Sequence, residues 1–304
     1  MIGEAAFAVS LLLAAQNAAT AATRLKASAH TSNSAALGSS SQRNGAAPST
    51  PSTQATKMSP GSALAVTAEP EAGGTHFRIA TPRGPIHVFR PAGYNRATAG
   101  ILVYVHGYYA NVDQAWQEHG LASQFAASRR NAIFIAPDAP VGGDETSPWR
   151  HLDSLVAKAC RTAHLSIPSG PWMVVGHSAA YRTIVPWLTQ PEIRHIILVD
   201  ALYGNEPEFR KWLTSERAHK LTLIVKGTAK WADPFAQSIP YTVRMARVPT
   251  APGELPATAR GAKLLYIPSQ IGHFELITDR KVLPAILERT GLRTIHRAPV
   301  ATEK

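Results

Sequence analysis

Two patterns of hydrophobic and polar residues alternate along the chain from Thr75 onwards. Short apolar runs bounded by Gly, Pro or Asn are followed by stretches whose apolar residues lie three and four positions apart. The first pattern predicts buried strands and the second predicts amphipathic helices. Regular alternation of the two is typical of βαβ units. We therefore predict an α/β fold, with a doubly wound, mostly parallel sheet and helices on both of its faces.

The apolar runs and the helical spacing also give the approximate position of each element. Strands are predicted at residues 76–80, 86–90, 100–105, 132–136, 172–176, 195–199, 221–225 and 263–267. Helices are predicted at residues 113–128, 149–164, 179–188, 206–219 and 273–289. No helix separates the first two strands, so we expect an antiparallel hairpin at the sheet edge. Residues 230–260 are weak in periodicity and predict an irregular excursion over the edge of the sheet where ligands bind.

The chain before Thr75 has a different composition. Residues 27–74 consist almost entirely of small and polar residues, which predicts a disordered linker. Residues 1–26 hold a short apolar stretch similar to that of a signal peptide. The residues before this stretch contain Glu4 and no Lys or Arg, so export and a cytoplasmic location both stay open. The stretch is too short to span a bilayer, and no membrane insertion is expected. We predict one folded domain at residues 75–291 and a tail at residues 292–304.

Composition excludes several classes of protein. Hydrophobic residues make up 45% of the chain and charged residues 17%, which suits a protein that buries a sizeable core. The net charge is +11, but Lys and Arg are scattered, so we expect a solvated basic surface and no nucleic-acid partner. The chain has a single cysteine, Cys160, so it cannot form an intrachain disulfide. We expect Cys160 to be buried. The 12 histidines show no paired ligand spacing with acidic residues, so no metal site is predicted.

One motif carries candidate chemistry. Residues 171–181 read Pro-Trp-Met-Val-Val-Gly-His-Ser-Ala-Ala-Tyr, running from an apolar strand through Gly-x-Ser-x-Ala into a helix. This arrangement predicts a nucleophile elbow at Ser178, whose tight turn requires small residues at Gly176 and Ala180. The turn would lift the Ser178 hydroxyl to the start of a helix, where backbone N–H groups stabilise an oxyanion. An ordinary turn with a capping serine is the alternative.

Two further segments supply candidate partners for Ser178. An apolar strand ends in His-Gly-Tyr at residues 106–108, and we predict that the N–H groups of Tyr108 and Ala179 form the oxyanion hole. His106 is expected to shape this loop by hydrogen bonding. His273 follows the last predicted strand, at the start of the last helix, and is the predicted general base.

The acidic residue that would orient His273 has more than one candidate. Asp200 closes the strand at residues 195–199 and needs no excursion to reach the sheet edge, so it is favoured. Asp233 is the alternative, because it lies after the following strand, the commoner position for the acid. Two further possibilities stay open: another acid, such as Asp138, orients His273, or no acid does.

Together these motifs resemble those of the α/β-hydrolase superfamily over residues 75–291. The resemblance implies acyl transfer through a Ser178-bound intermediate, most often hydrolysis of a small-molecule ester, with no cofactor. Two other classes stay open: a non-catalytic binding or cell-envelope module, and an acyltransferase or peptidase on the same scaffold. The sequence carries no signal for oligomeric state. Several aromatic residues could either line an acyl pocket or pack in the core: Tyr108, Tyr109, Trp149, Trp231 and Phe274.

Overall fold

A ten-stranded sheet forms the centre of the computed structural model, which describes residues 65–295. The strand order is β1-β2-β3-β5-β4-β6-β7-β8-β10-β9. Pairing is antiparallel from β1 to β5 along this order and parallel over the rest of the sheet. The strands are β1 Val66–Glu71, β2 Gly74–Ile79, β3 Ile86–Arg90, β4 Gly100–Val105, β5 Ala132–Pro137, β6 Trp172–His177, β7 Ile193–Val199, β8 Lys220–Val225, β9 Thr242–Arg244 and β10 Leu264–Pro268.

Helices cover both faces of the sheet. They are α1 Val112–Glu118, α2 Leu121–Ser128, α3 Leu152–Thr162, α4 Tyr181–Ile184, α5 Glu206–Ser215, α6 Ala229–Gln237, α7 Ala257–Gly261, α8 Glu275–Thr278 and α9 Val282–Ile286. One face packs against α3, α4, α5 and α6, and the other against α1, α2, α7, α8 and α9. Within residues 65–295, none of these helices combines the length and apolar character that crossing a membrane requires.

Two separate core layers arise because successive side chains of a strand point to opposite faces. In β4, Ile101, Val103 and Val105 belong to one layer, and Leu102 and Tyr104 belong to the other. Every residue of β4, β5 and β6 is buried, as expected for central strands that are covered on both faces. The predicted α/β class, with a mostly parallel sheet and helices on both faces, is confirmed.

The predicted strands are all present, with ends within two residues of those expected. The predicted helices are less regular. The helix expected at residues 113–128 is interrupted at Gly120, whose φ of 59° cannot continue an α-helix. The helix expected at residues 273–289 is divided into short pieces. Residues 230–260, predicted to be irregular, instead contain most of α6, the edge strand β9 and α7.

Both predicted boundaries of the folded domain are wrong. Strand β1 lies inside the segment predicted as a linker, and it pairs with β2 from Val66 opposite Ile79 to Glu71 opposite Gly74. At the other end, Leu292 is buried and Thr294 forms a bridge with Arg130, so the predicted tail begins too early. The rest of the linker, the signal-like stretch and residues 296–304 lie outside the described residues. Cys160 is buried in the core, as expected.

The corrected boundary predicts different outcomes for two truncations. Removal of residues 1–64 should leave the melting temperature unchanged, because the sequence of this segment offers little apolar surface to bury. Removal of residues 1–73 should lower it by several degrees, because β1 and the Glu71 acceptor of the Trp116 indole N–H are lost. In a domain of this size about 2–4 °C corresponds to each kcal/mol. Equal melting curves for the two truncated proteins would show that β1 contributes nothing to stability.

Candidate active site

Ser178 occupies a tight turn at the end of the central strand β6. Strand β6 leads directly into a 3₁₀ turn at Ser178–Ala180 and then into α4. The φ of Ser178 is +56°, a left-handed conformation that is uncommon outside glycine and is concentrated at functional sites. A Cβ atom on Gly176 would lie 2.5 Å from the Ile184 Cδ1 and 2.9 Å from the Ala180 Cβ. The close packing therefore requires the small residues that the sequence supplies on either side of the serine.

The loop after β4 approaches the same serine. A Cβ on Gly107 would lie 2.6 Å from the Ser178 Cβ and 3.2 Å from its Oγ, so only glycine fits there. The buried His106 ring holds this loop in place: its Nδ1 donates to the Gly107 carbonyl at 2.7 Å, and its Nε2 accepts from the Ala139 N–H at 3.0 Å. His106 thus has the loop-shaping contacts expected from the sequence.

The two N–H groups predicted for the oxyanion hole belong to the two segments that meet at Ser178. In the part of the chain that the structure describes, neither the Tyr108 nor the Ala179 N–H donates to a protein acceptor. The next amide, that of Tyr109, is committed to the Val141 carbonyl at 3.1 Å. The phenol of Tyr108 accepts a hydrogen bond from Arg182 on α4. Both predicted donors are therefore available to an oxygen atom placed beside Ser178.

The structure brings Asp200 and His273 together. The Asp200 Oδ2 atom lies 2.6 Å from the His273 Nδ1, and the Asp200 side chain is 0% exposed. The turn after β8 donates to the same carboxylate through the backbone amides of Lys226, Gly227 and Thr228, each at 2.9 Å. Burial by itself raises the pKa of Asp200, but the hydrogen bonds from His273, Gly227 and Lys226 outweigh burial and hold this pKa below its usual range. Asp200 is therefore an anion that accepts from Nδ1–H of His273.

The other candidate acids lie elsewhere. Asp233 is on α6, not in a loop, and its carboxylate accepts from the Tyr266 hydroxyl. Asp138 accepts from the Val112 N–H at 3.0 Å and lies 3.5 Å from the His106 Nε2. Of the acids left open by the sequence, Asp200 is the one in contact with His273.

His177 holds the backbone of His273, a contact that the sequence did not indicate. This ring is buried, and its Nε2 lies 3.0 Å from the His273 carbonyl oxygen. Burial, together with the neighbouring rings of His273 and His119, lowers the pKa of His177 well below its usual range. The ring is therefore neutral at pH 7 and donates through Nε2–H. Because His177 directly precedes Ser178, this hydrogen bond connects the turn at Ser178 to the loop that carries His273.

The remaining contact of a catalytic triad, between Ser178 and His273, is not made as a hydrogen bond in the described structure. The Ser178 hydroxyl lies beside Gly107. Contacts of this kind are often long in ligand-free enzymes and shorten when a substrate binds.

Aromatic side chains border the site, though not all those expected. Trp149 is buried in the core and its carbonyl accepts from the Trp187 indole, so it packs and does not line a pocket. Tyr109 is 53% exposed and Phe274 is 37% exposed. Trp231 is half-buried, with its ring 5.3 Å from that of Tyr203.

Tyr203 itself was not singled out from the sequence. The Tyr203 hydroxyl and the Asp200 carboxylate both border Gly227, where an added Cβ would lie 3.5 Å from the hydroxyl oxygen and 3.3 Å from the Asp200 Oδ2. Its ring lies 6.2 Å from that of Tyr181, which opens α4. Tyr181, Tyr203 and Trp231 therefore form an aromatic row beside the Asp200–His273 pair.

These observations decide the fold family. A serine on a strained strand-to-helix turn stands at the carboxyl edge of a mostly parallel sheet, beside the loop after β4. The three residues follow the chain order Ser178, Asp200, His273 that this family uses. The chain has the α/β-hydrolase fold.

Comparison with known proteins gives only distant likenesses to solved structures. No family model and no curated protein matches the chain. The chain is similar to an S-formylglutathione hydrolase from Agrobacterium tumefaciens at 11% identity and a TM-score of 0.44, covering 75% of this chain and 99% of that one. It is also similar to a feruloyl esterase module from Clostridium thermocellum at 13% identity and a TM-score of 0.48, covering 78% and 91% of the two chains.

The close approach of Gly107 to Ser178 generates a prediction. In Gly107→Ala the new Cβ must displace Ser178 or the loop that carries the Tyr108 N–H. A misplacement of about 1 Å at a reacting group costs roughly 100-fold in rate, and we expect a loss of this order in kcat/KM for a small activated ester. Gly261→Ala is the matched control, because nothing lies within 4 Å of its added Cβ. Unchanged activity in Gly107→Ala, or equal losses in both variants, would contradict this assignment of the site.

Proposed function

We propose that this protein is a serine hydrolase that cleaves small-molecule esters by nucleophilic acyl transfer. The observation that carries the proposal is the contact between the buried Asp200 carboxylate and the Nδ1 of His273, at 2.6 Å. The loop that carries His273 is hydrogen-bonded to His177, the residue directly before Ser178. A carboxylate in this position fixes one tautomer of the imidazole, with the proton on Nδ1 and the lone pair on Nε2. That lone pair is what a general base needs to take the proton of a serine hydroxyl.

Acylation follows from this arrangement. The Ser178 Oγ attacks the ester carbonyl carbon while its proton passes to the Nε2 of His273. The imidazolium that results is stabilised by the Asp200 anion, which already accepts the Nδ1–H. The carbonyl oxygen becomes an oxyanion, which the N–H groups of Tyr108 and Ala179 would stabilise. Collapse of this intermediate expels the alcohol, which takes its proton from Nε2.

Deacylation repeats the sequence with water as the nucleophile. His273 takes a proton from the water molecule as it attacks the acyl carbon, and then returns a proton to the Ser178 Oγ as the acid leaves. The chemistry is balanced by side chains alone and needs no cofactor. Water is the acceptor that we propose; an added alcohol or amine would intercept the acyl group if the protein is a transferase.

The network around Asp200 explains why this acid suits the role. A carboxylate removed from water costs several kcal/mol unless it is compensated. The amides of residues 226–228 and the Thr228 hydroxyl, at 2.8 Å, provide that compensation without neutralising the charge. The anion therefore persists in the interior and remains available to an imidazolium on His273. Within residues 65–295, the Asp233 carboxylate accepts from the Tyr266 hydroxyl and from no backbone amide.

The two aspartates offer a matched test of the proposal. Asp200→Asn keeps the shape of the side chain but permits the wrong imidazole tautomer and removes the anion, so kcat for a small activated ester should fall by about 10³–10⁴-fold, as in other triads. Asp233→Asn is the control and should cost little, because its carboxylate bonds to Tyr266 and not to His273. Rates should be measured with both variants shown to be folded by circular dichroism.

Two results would contradict the proposal. If Asp200→Asn retained the activity of the unmodified protein, the pair with His273 would have no catalytic role. If the unmodified protein hydrolysed no ester over a range of acyl-chain lengths, the non-catalytic binding module would be the better account. A large loss in Asp233→Asn alone would transfer the role of the acid to Asp233.

A further inference from the structure

A line of polar side chains crosses the antiparallel end of the sheet, on elements that do not contribute to the candidate active site. Glu69 lies directly opposite His76 in the pairing of β1 with β2, and Glu71 is two residues further along β1, on the same face as Glu69. The three side chains therefore project together from one face of two neighbouring strands. His76 is buried, whereas the Glu69 side chain is 66% exposed, so the group opens to solvent on one side.

The spacing of the three ligand atoms fits a divalent metal ion. The Nδ1 of His76 lies 3.2 Å from the Glu69 Oε1 and 3.1 Å from the Glu71 Oε2, and all three atoms lie within 4.8 Å of one another. Around a tetrahedral Zn²⁺ with ordinary bond lengths, neighbouring ligand atoms are about 3.3 Å apart. This group could not be recognised from the sequence, because the ligands come together only through strand pairing.

Behind His76 the line continues into the protein. The Nε2 of His76 lies 2.8 Å from the Nδ1 of His87, and the Nε2 of His87 lies 2.8 Å from the Asp113 Oδ1. Arg78 donates two hydrogen bonds of 2.6 Å to the same carboxylate. The Trp116 ring stacks on both imidazoles, at 4.6 and 4.7 Å between centroids. Such support behind a histidine is typical of metal sites, where the second ring nitrogen donates to a fixed acceptor.

The contacts of His76 leave one of its ring nitrogens facing the two carboxylates. Its Nε2 is engaged by His87, and its Nδ1 lies within 3.2 Å of a carboxylate oxygen of both Glu69 and Glu71. The Glu71 Oε2 also accepts from the Trp116 indole N–H at 3.0 Å, so α1 helps to hold this carboxylate in place. A cation placed among the three ligand atoms would contact all of them at once.

We propose that Glu69, Glu71 and the Nδ1 of His76 bind a divalent transition-metal ion, with Zn²⁺ as the best match. The ion would contact the Nδ1 of His76 and both carboxylates at once. His87 and Asp113 would orient His76, and water would complete the coordination on the open side. The ion would fasten the edge strand β1 to β2 and, through Asp113 and Trp116, to α1. This proposal is independent of the proposed hydrolase activity.

Zinc titration of the full-length protein, carrying no polyhistidine tag and freed of metal with a chelator, tests the proposal. Calorimetry should show one Zn²⁺ site in the unmodified protein, and the ion should raise its melting temperature. Glu69→Gln/Glu71→Gln should abolish both effects, since the amides preserve shape and remove the anionic ligands. His87→Gln, which alters only the support of His76, should weaken binding by about 10–100-fold. Glu208→Gln, on an exposed turn of α5, is the control and should bind as the unmodified protein does.

The outcomes separate a metal ion from a proton. Equal Zn²⁺ binding in the unmodified protein and in Glu69→Gln/Glu71→Gln would overturn the proposal, since the ion would then be held elsewhere. Failure of the unmodified protein to bind Zn²⁺ or Co²⁺ would also overturn it, and nitrogen NMR showing both ring nitrogens of His76 protonated would identify a proton as the occupant. Binding that is lost in the double variant and weakened in His87→Gln, with circular dichroism unchanged, would support it.

Discussion

The buried carboxylate of Asp200 is the interaction on which the candidate site depends. A fully buried anion is tolerated only where donors surround it, and here they come from two separate segments, the turn at residues 226–228 and the loop that carries His273. The need to satisfy this charge therefore joins β7, β8 and the segment after β10 at one point of the sheet edge. His273 is held in place by the same requirement, through its Nδ1.

Ser178 is placed by a second constraint, which is steric. The turn from β6 into α4 is so tight that Gly176, Ala180 and Gly107 have no space for larger side chains, and Ser178 itself is held at a positive φ. Strain of this kind persists only where the surrounding structure imposes it. Here the buried strand β6, packed between β4 and β7, supplies the rigid base. The hydrogen bond from His177 to the His273 carbonyl connects this turn to the His273 loop. The serine, placed by packing, and the histidine, placed by the Asp200 charge, are therefore held relative to each other.

Much of this could be predicted from the sequence because the deciding signals are local. Apolar runs predict the strands, and small residues around Ser178 predict the tight turn. The position of His273 after the last strand of the parallel sheet makes it the candidate base. What could not be predicted depends on contacts between distant segments. Strand β1 has mostly exposed residues and no apolar run, so its sequence is typical of a linker. Its glutamates meet His76 only through strand register. The role of His177 was equally hidden, because its partner is a backbone carbonyl 96 residues away.

The central claim is that Ser178 is a nucleophile activated by His273. A fluorophosphonate probe tests it directly, since it reacts with an activated serine regardless of the natural substrate. We expect the native protein to be labelled once, with the adduct mapped by mass spectrometry to Ser178, and we expect His273→Ala to lose this labelling while remaining folded. No adduct on the native protein, an adduct on another residue, or equal labelling of Ser178 in the two proteins would contradict the account.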